Sequence, residues 1–343
     1  MLKVAVVILN WNGEAFLKKF LPSVVAHLPS FAEIVVADND STDGSVDFLQ
    51  RHYPDVRVIL NKENGGYARG YNDALKWIEA QYYVLLNSDI EVSPNWIEPI
   101  ISFMDTHAQV AACQPKIKSY HDKQYFEYAG AAGGYIDKYG YPFCRGRIFQ
   151  SLEKDQGQYE DIREVFWASG ACMFVRADVF RKLGGLDEDF FAHMEEIDFC
   201  WRAKNKGYQI YYHPQSVVYH VGGGTLPKSN PHKTYLNFRN NFFLLYKNIE
   251  SNRLLITFLW RLILDGVAGV KFIIDGNIKD ALAVMRAHFH FYASLPGLRK
   301  KRSALKQIKV GQVYQRNIVY EHFLRKVKTF TSLNAKRFSQ TKS

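Results

Sequence analysis

Apolar and polar positions alternate along the first hundred residues in two rhythms. Val4–Leu9 is an unbroken apolar run, as expected of a strand buried on both faces. Phe16, Phe20, Val24 and Leu28 then recur at near-helical spacing, with Pro22 as a candidate kink. The same alternation repeats with strands at Glu33–Ala37, Arg57–Leu60 and Tyr82–Leu86 and helices at Ser45–His52 and Tyr67–Ala80. Repeated βα units of this length predict an α/β fold, a mainly parallel sheet flanked by helices, with ligands bound outside the carboxyl ends of the strands. Residues 120–160 are rich in Gly and Tyr and read as a loop-rich insertion holding a hairpin. A strand at Cys172–Val175, helices at Ala177–Leu183 and Glu195–Lys206, and short strands at Tyr208–His213 and Val217–His220 follow. Beyond about residue 234 the pattern is helical, without strand signals. The expected division is an α/β domain over 1–234 and a helical region over 235–343.

Charge changes this picture only once it is divided. The 343 residues carry a net +10, which taken whole suggests nucleic-acid binding. Residues 1–234 sum to −5, however, and 235–343 to +15. An acidic α/β half without a recognition motif argues against a nucleic-acid partner. The 47% apolar content excludes a disordered chain, and Cys113, Cys144, Cys172 and Cys200 form no Cys-x-x-Cys pair, so a reduced, cytoplasmic compartment is expected. Val4–Leu9 is too short for a signal-peptide core.

The predicted strand ends carry the candidate chemistry. Asn10-Trp11-Asn12-Gly13 lacks the glycine pattern of a dinucleotide site. In Asp38–Gly44, Asp38 can accept from a pyrimidine imide or ribose hydroxyls, although Asp and Asn are also ordinary turn and cap residues. Asn64-Gly65-Gly66 opens a helix bearing Arg69, able to reach a diphosphate, and Asn72; a plain tight turn explains the glycines equally well. Asn87-Ser88-Asp89 offers Asp89 as a ligand for Mg²⁺ or Mn²⁺, since phosphate and water complete such a shell, or else a polar strand cap. Glu195 and Glu196 begin a helix on which Asp198 can pair with Arg202; one glutamate can serve as a general base, raised by burial and by its neighbour. His220 precedes Gly222-Gly223-Gly224, a metal ligand beside a mobile lid or an ordinary buried histidine.

In this order the motifs Asn-Trp-Asn, Asp-Asn-x-Ser-x-Asp-Gly, Asn-x-Gly-x-x-x-Gly-x-Asn, Asn-Ser-Asp, Gly-Ala-Cys and Glu-Glu-x-Asp-x-Cys-x-Arg resemble glycosyltransferase family 2, inverting enzymes of GT-A fold, and within it the rhamnosyltransferase-like branch. The resemblance spans roughly residues 3–245. It implies nucleotide contacts at Asn10, Asp38, Asn64, Arg69 and Asn87, a metal at Asp89 with His220 beside it, an acceptor loop at Trp167, Ser169 and Gly170, and Glu196 as base with Glu195 as its rival. Asn87 stands where the family's motif has its first acid, and Glu196 where it has Asp. The implied partners are a nucleotide-sugar donor, dTDP-rhamnose or a UDP-hexose, and a glycan or lipid-linked acceptor in surface polysaccharide synthesis. A catalytically silent sugar-nucleotide-binding module is the alternative that Asn87 keeps open.

In the basic region, Leu254–Ile274 is the most membrane-like stretch, but Arg261, Asp265 and Lys271 interrupt it. The expectation is an amphipathic basic region docking on the anionic inner face of the cell membrane, with a soluble subdomain or a homodimer contact as the other use of the same helices.

Overall fold

The computed structural model describes residues 2–222 and 230–340. Its centre is a mixed sheet of nine strands among the described residues. Four parallel strands, β1 (Leu2–Asn10), β2 (Ala32–Asp38), β3 (Arg57–Leu60) and β4 (Ala80–Asn87), are ordered β4-β1-β2-β3. They are the apolar runs of the sequence: Val4, Ala5, Val6, Val7, Val84 and Leu85 are wholly buried. Beyond β4 the sheet continues with a short β5 (Ile90–Val92), a long β6 (Val110–Ser119) and, after a small second sheet, β11 (Arg163–Val165), β12 (Cys172–Arg176) and β13 (Gln209–His220). Strand β12 lies antiparallel between β4 and β6, while β13 runs parallel to β6. The sheet is thus parallel in its first half and mixed in its second.

Helices α1 (Glu14–Ala26), α2 (Ser45–His52), α3 (Gly66–Leu75), α4 (Glu98–Thr106), α5 (Ala177–Lys182) and α6 (Glu195–Asn205) flank the sheet. Helix α3 stops five residues short of the expected Ala80, because Ala80 already pairs with Leu2 as the first residue of β4. The two short strands expected before His220 are one continuous β13.

The insertion is more ordered than its composition suggested. It forms the second sheet from β7 (Gly134–Asp137), β8 (Pro142–Cys144), β9 (Arg147–Ile148) and β10 (Ser151–Leu152). This sheet is completed by β14 (Val313–Tyr314), parallel to β7 and far along the chain. The expectation of helices alone beyond 234 therefore needs correction. Helices α7 (Pro231–Asn248), α8 (Ser251–Ile274) and α9 (Ile278–Ser303) fill most of the region, but residues 304–340 run back over the insertion. Phe330 and Phe338 there pack in tilted and edge-on contacts against Tyr135 and Phe143, and the burial of aromatic rings outweighs the weak local strand signal of Val313-Tyr314. All four cysteines are buried and unbridged.

Candidate active site

Register sets the site. Asn10 pairs with Asp38, and Leu9 with Asn87, so the carboxyl ends of β1, β2 and β4 finish side by side. Asn10 Nδ2 donates to Asp38 Oδ2 at 2.9 Å, and the Ser41 amide to Asp38 Oδ1 at 2.9 Å, which ties this buried carboxylate into the turn after β2. Asn10 Oδ1 is buried without a hydrogen-bond partner. The turns after β1 and β2 hold Asn12 and Asp40 at positive φ, conformations that Asn and Asp tolerate best among non-glycine residues.

The β4 and β13 ends form a second group. His220 Nε2 lies 3.1 Å from Asp89 Oδ1 and 3.4 Å from Asn87 Nδ2, and its Nδ1 lies 3.1 Å from Glu127 Oε2. Burial opposes charge on the imidazole, but Glu127 and Asp89 outweigh it and lift the His220 pKa to about 10. Burial would likewise raise Asp89, and His220 instead holds it below the ordinary range. Glu127 had no signal in the sequence: it is one acid in a Gly- and Tyr-rich stretch, brought to His220 by the isolated bridge between Lys118 and Phe126. Among the described residues, no three His, Cys, Asp or Glu side chains are arranged to share one ion. One carboxylate and one imidazole edge to edge fit a divalent ion whose other positions come from a diphosphate and water, with the ion displacing the proton that His220 Nε2 otherwise shares with Asp89.

The acid pair forms a third group. Helix α6 is preceded by a strained loop in which Phe191, His193 and Met194 all have positive φ. The loop is held from both sides. The Tyr67 amide at the start of α3 donates to the Phe191 carbonyl at 2.8 Å, and Gly66, at φ +73°, permits that approach, since a Cβ there would lie 2.5 Å from the same oxygen. From α7, Asn240 Nδ2 reaches the carbonyls of Phe190, Ala192 and His193 at 3.0, 2.8 and 2.7 Å, and Arg239 Nη2 those of Asp189 and Phe190. Glu195 and Glu196 follow, each with a buried Oε2 that has no hydrogen-bond partner. Burial and then Glu196 push the Glu195 pKa well above the carboxylate range, whereas burial lifts Glu196 to about 7. Glu195 is buried and Glu196 partly open. Both acids raise the pKa of Tyr67 after the larger effect of burial, and the Tyr67 hydroxyl donates to the Gly170 carbonyl at 2.6 Å.

Other candidate residues have structural engagements. Trp167 is buried in the core, its indole N–H spent on the Tyr135 carbonyl at 2.9 Å and its ring packed over Gly134. Ser169 Oγ bonds to the Ala129 carbonyl, and its amide donates to Gln114 Oε1 at 2.9 Å. Asn64 Oδ1 accepts from Asn39 Nδ2 and the Gly66 amide, shaping the turn. Arg69 points to the surface, paired with Glu63 at 2.6 Å and Asp73 at 3.4 Å. Asn72 clamps the 185–188 loop through both the amide and the carbonyl of Leu186. Asp198 pairs with Arg202 at 2.7 Å, as its spacing predicted. Of the expected glycine lid, Gly223 and Gly224 lie outside the described residues.

The family model described as glycosyl transferase family 2 matches residues 5–184. The chain is 26% identical over 234 residues to the N-acetylglucosaminyl-diphospho-decaprenol L-rhamnosyltransferase of Mycobacterium tuberculosis, covering 63% of this chain and 75% of that protein. It is 25% identical over 267 residues to rhamnosyltransferase WbbL of Escherichia coli strain K12, covering 73% of this chain and 96% of that protein. The crystal structure of GalNAc-T7 with UDP, GalNAc and Mn²⁺ superposes with a TM-score of 0.58 at 18% identity, over 73% of this chain and about half, 49%, of that one. The mixed sheet with flanking helices is thus of the GT-A kind.

Proposed function

From the premise that the chain belongs to glycosyl transferase family 2, we propose that it is an inverting glycosyltransferase moving a sugar from a nucleoside diphosphate to a hydroxyl of a glycan or lipid-linked acceptor. The observation that carries this reading is the acid pair: two adjacent glutamates with partnerless buried oxygens, held by a strained and doubly stapled loop at the carboxyl edge of the sheet. Stored strain and an unpaired buried acid are costs that a merely structural helix start would avoid.

Glu196 is the base in this reading. A carboxylate with a pKa near 7 is partly ionised at neutral pH, yet basic enough to accept a hydroxyl proton. Glu195, the more deeply buried of the two, is pushed upward by burial and by Glu196, and so does not compete as the ionised partner. As Glu196 takes the proton, the acceptor oxygen attacks the anomeric carbon from the face opposite the leaving group. The bond to the diphosphate breaks with its electron pair leaving on the phosphate oxygen, which inverts the configuration. Asn10 and Asp38 are positioned for base or ribose contacts, with Asn10 Oδ1 the acceptor still without a partner. Asp89 and His220 would hold Mg²⁺ or Mn²⁺, which when bound offsets charge on the leaving diphosphate; Glu127 fixes the ring that presents His220 Nε2.

Similarity to two rhamnosyltransferases favours dTDP-rhamnose as donor over a UDP-hexose, and a role in bacterial surface polysaccharide synthesis at the cytoplasmic face of the membrane. A panel of nucleotide sugars, read by product mass with and without Mn²⁺, tests it. Transfer from one donor, lost in Glu196→Gln, is the expected result; binding without turnover of any donor leaves the silent module instead.

A further inference from the structure

Helix α8 has its faces reversed. The stripe turned toward the protein is polar: Thr257, Arg261 and Asp265 are 2%, 2% and 1% exposed. Arg261 Nη2 pairs with Asp265 Oδ1 at 3.1 Å, and Tyr141, Tyr139 and His288 complete that network. The outward arc is apolar. Leu255, Ile263, Val267 and Ile274 are 74%, 57%, 63% and 78% exposed. Over the roughly 30 Å from Leu255 to Ile274 this arc carries no charged side chain until Lys271 at its edge. Helix α9 packs alongside and adds a second exposed apolar stripe, Ile278, Leu282, Met285, Phe289 and Tyr292, on the face opposite buried Ala287 and Phe291. Lys279 and Arg286 follow one residue's rotation from that stripe, and Arg299 and Lys300 close its end; all four are exposed. Between residues 251 and 303 there are nine Lys and Arg against three Asp.

We propose that the outward face of the α8–α9 hairpin lies in the headgroup region of an anionic phospholipid bilayer. The proposal rests on the glycosyltransferase reading for its purpose, and names the surface on which a lipid-linked acceptor would be met. A continuous apolar area of this size calls for a partner, and the basic border selects a negatively charged one. A second copy of the chain is disfavoured, because two-fold pairing through this face would set the same basic border against itself. No helix among the described residues is long and apolar enough to cross a membrane, in keeping with a helix that lies flat. The surface is coupled to the site through packing: α9 rests on α7, α8 packs on α9 and meets α7 through Phe258 on Phe242 and Arg261 on Asn241, and α7 holds the loop before Glu195.

Co-sedimentation of the full chain with phosphatidylcholine vesicles, with and without phosphatidylglycerol, tests this in the absence of any sugar nucleotide, so its outcome is independent of donor or activity. The wild type is expected to bind the anionic vesicles. Ile263→Asp with Val267→Asp, at exposed positions that leave the thermal midpoint unchanged, should lower the partition coefficient by roughly tenfold or more, as carboxylates enter the acyl boundary. Lys279→Glu with Lys300→Glu should abolish the preference for anionic over neutral vesicles. Failure to bind anionic vesicles at low salt overturns the proposal, as does equal binding to both lipids. A dimer in sedimentation velocity that the Ile263→Asp, Val267→Asp pair dissolves, without any vesicle binding, assigns the face to a second copy instead.

Discussion

Glu195 and Glu196 are neighbours on a helix, so their side chains diverge by about 100° and meet different surroundings. That difference makes one residue testable by pH alone. Since the base must be ionised, the rate of transfer should rise with pH and level off above an apparent pKa near 7, the value to which burial lifts Glu196. Glu196→Gln should abolish transfer while donor affinity stays within about twofold, because in the proposed mechanism the residue acts on the acceptor hydroxyl and not on the donor. The same substitution should stabilise the protein. A carboxyl whose folded pKa exceeds its unfolded one destabilises increasingly as pH rises from the unfolded value toward the folded one. The gain in Glu196→Gln is therefore absent in acid, grows up to about pH 7 and persists above it, at about 1–3 kcal/mol. Thermal melts of both proteins at pH 5 and 8 give the sign.

Glu127 makes a different demand, because it acts through His220. Glu127→Gln should weaken Mn²⁺ binding, measured by calorimetry with the nucleoside diphosphate present, by about 10–100-fold, the usual cost of removing a carboxylate that orients a ligand imidazole. Unchanged affinity would leave Glu127 a core acid.

At the scale of elements, the loop from Phe190 to Met194 depends on two helices distant in sequence. Asn240→Ala removes the amide shared by three of its carbonyls and should cost about 1–3 kcal/mol. With positive φ at Phe191, His193 and Met194 no longer enforced, kcat should fall while donor binding, proposed at the β1–β2 end, holds. Single-turnover kinetics beside donor titration separate the two. This dependence also shows what the sequence conveyed and what it did not. Strands β1 to β4 and the clusters at their ends were legible because each is an apolar run closed by turn residues. Strand β6 was not, since Gln114, Pro115 and Lys116 interrupt its pattern although all are buried, Lys116 by pairing with Asp155 and Glu160. Asn240 and Glu127 gave no signal because their partners are backbone carbonyls and a histidine about fifty and ninety residues away. Trp167 was singled out by the resemblance alone, as part of an acceptor loop, and its ring lies in the core with the indole N–H on the Tyr135 carbonyl.

Over the whole molecule, the division into an acidic first part and a basic second part is also a device of assembly. Lys247 on α7 reaches both Asp187 and Asp198, the latter at 2.8 Å, and Lys301 on α9 reaches Asp187 at 2.5 Å and Asp189 at 2.6 Å. Lys247, Asp187 and Asp198 are all buried within this seam. Part of the positive charge is thus consumed internally, and the exposed remainder on α9 is what faces outward. Burial alone would raise Asp187 and Asp198, but Lys247, with Lys301 and Arg202, holds both below the ordinary carboxylate range. A depressed acid contributes stability above its unfolded pKa and loses it as pH falls through the folded one, so the seam should be intact at neutral pH and open only in strong acid. Lys247→Met leaves Asp198 to Arg202 and Asp187 to Lys301. It should cost about 3–5 kcal/mol at pH 7, as expected when one partner of a buried pair is removed. Because the remaining carboxylates are then held down less firmly, the acid unfolding midpoint should move to higher pH. Urea titrations from pH 3 to 7 would show the wild-type and variant curves converging toward the acid end, and parallel curves would mean that Lys247 stabilises through its contact with the Phe190 ring rather than through the two carboxylates.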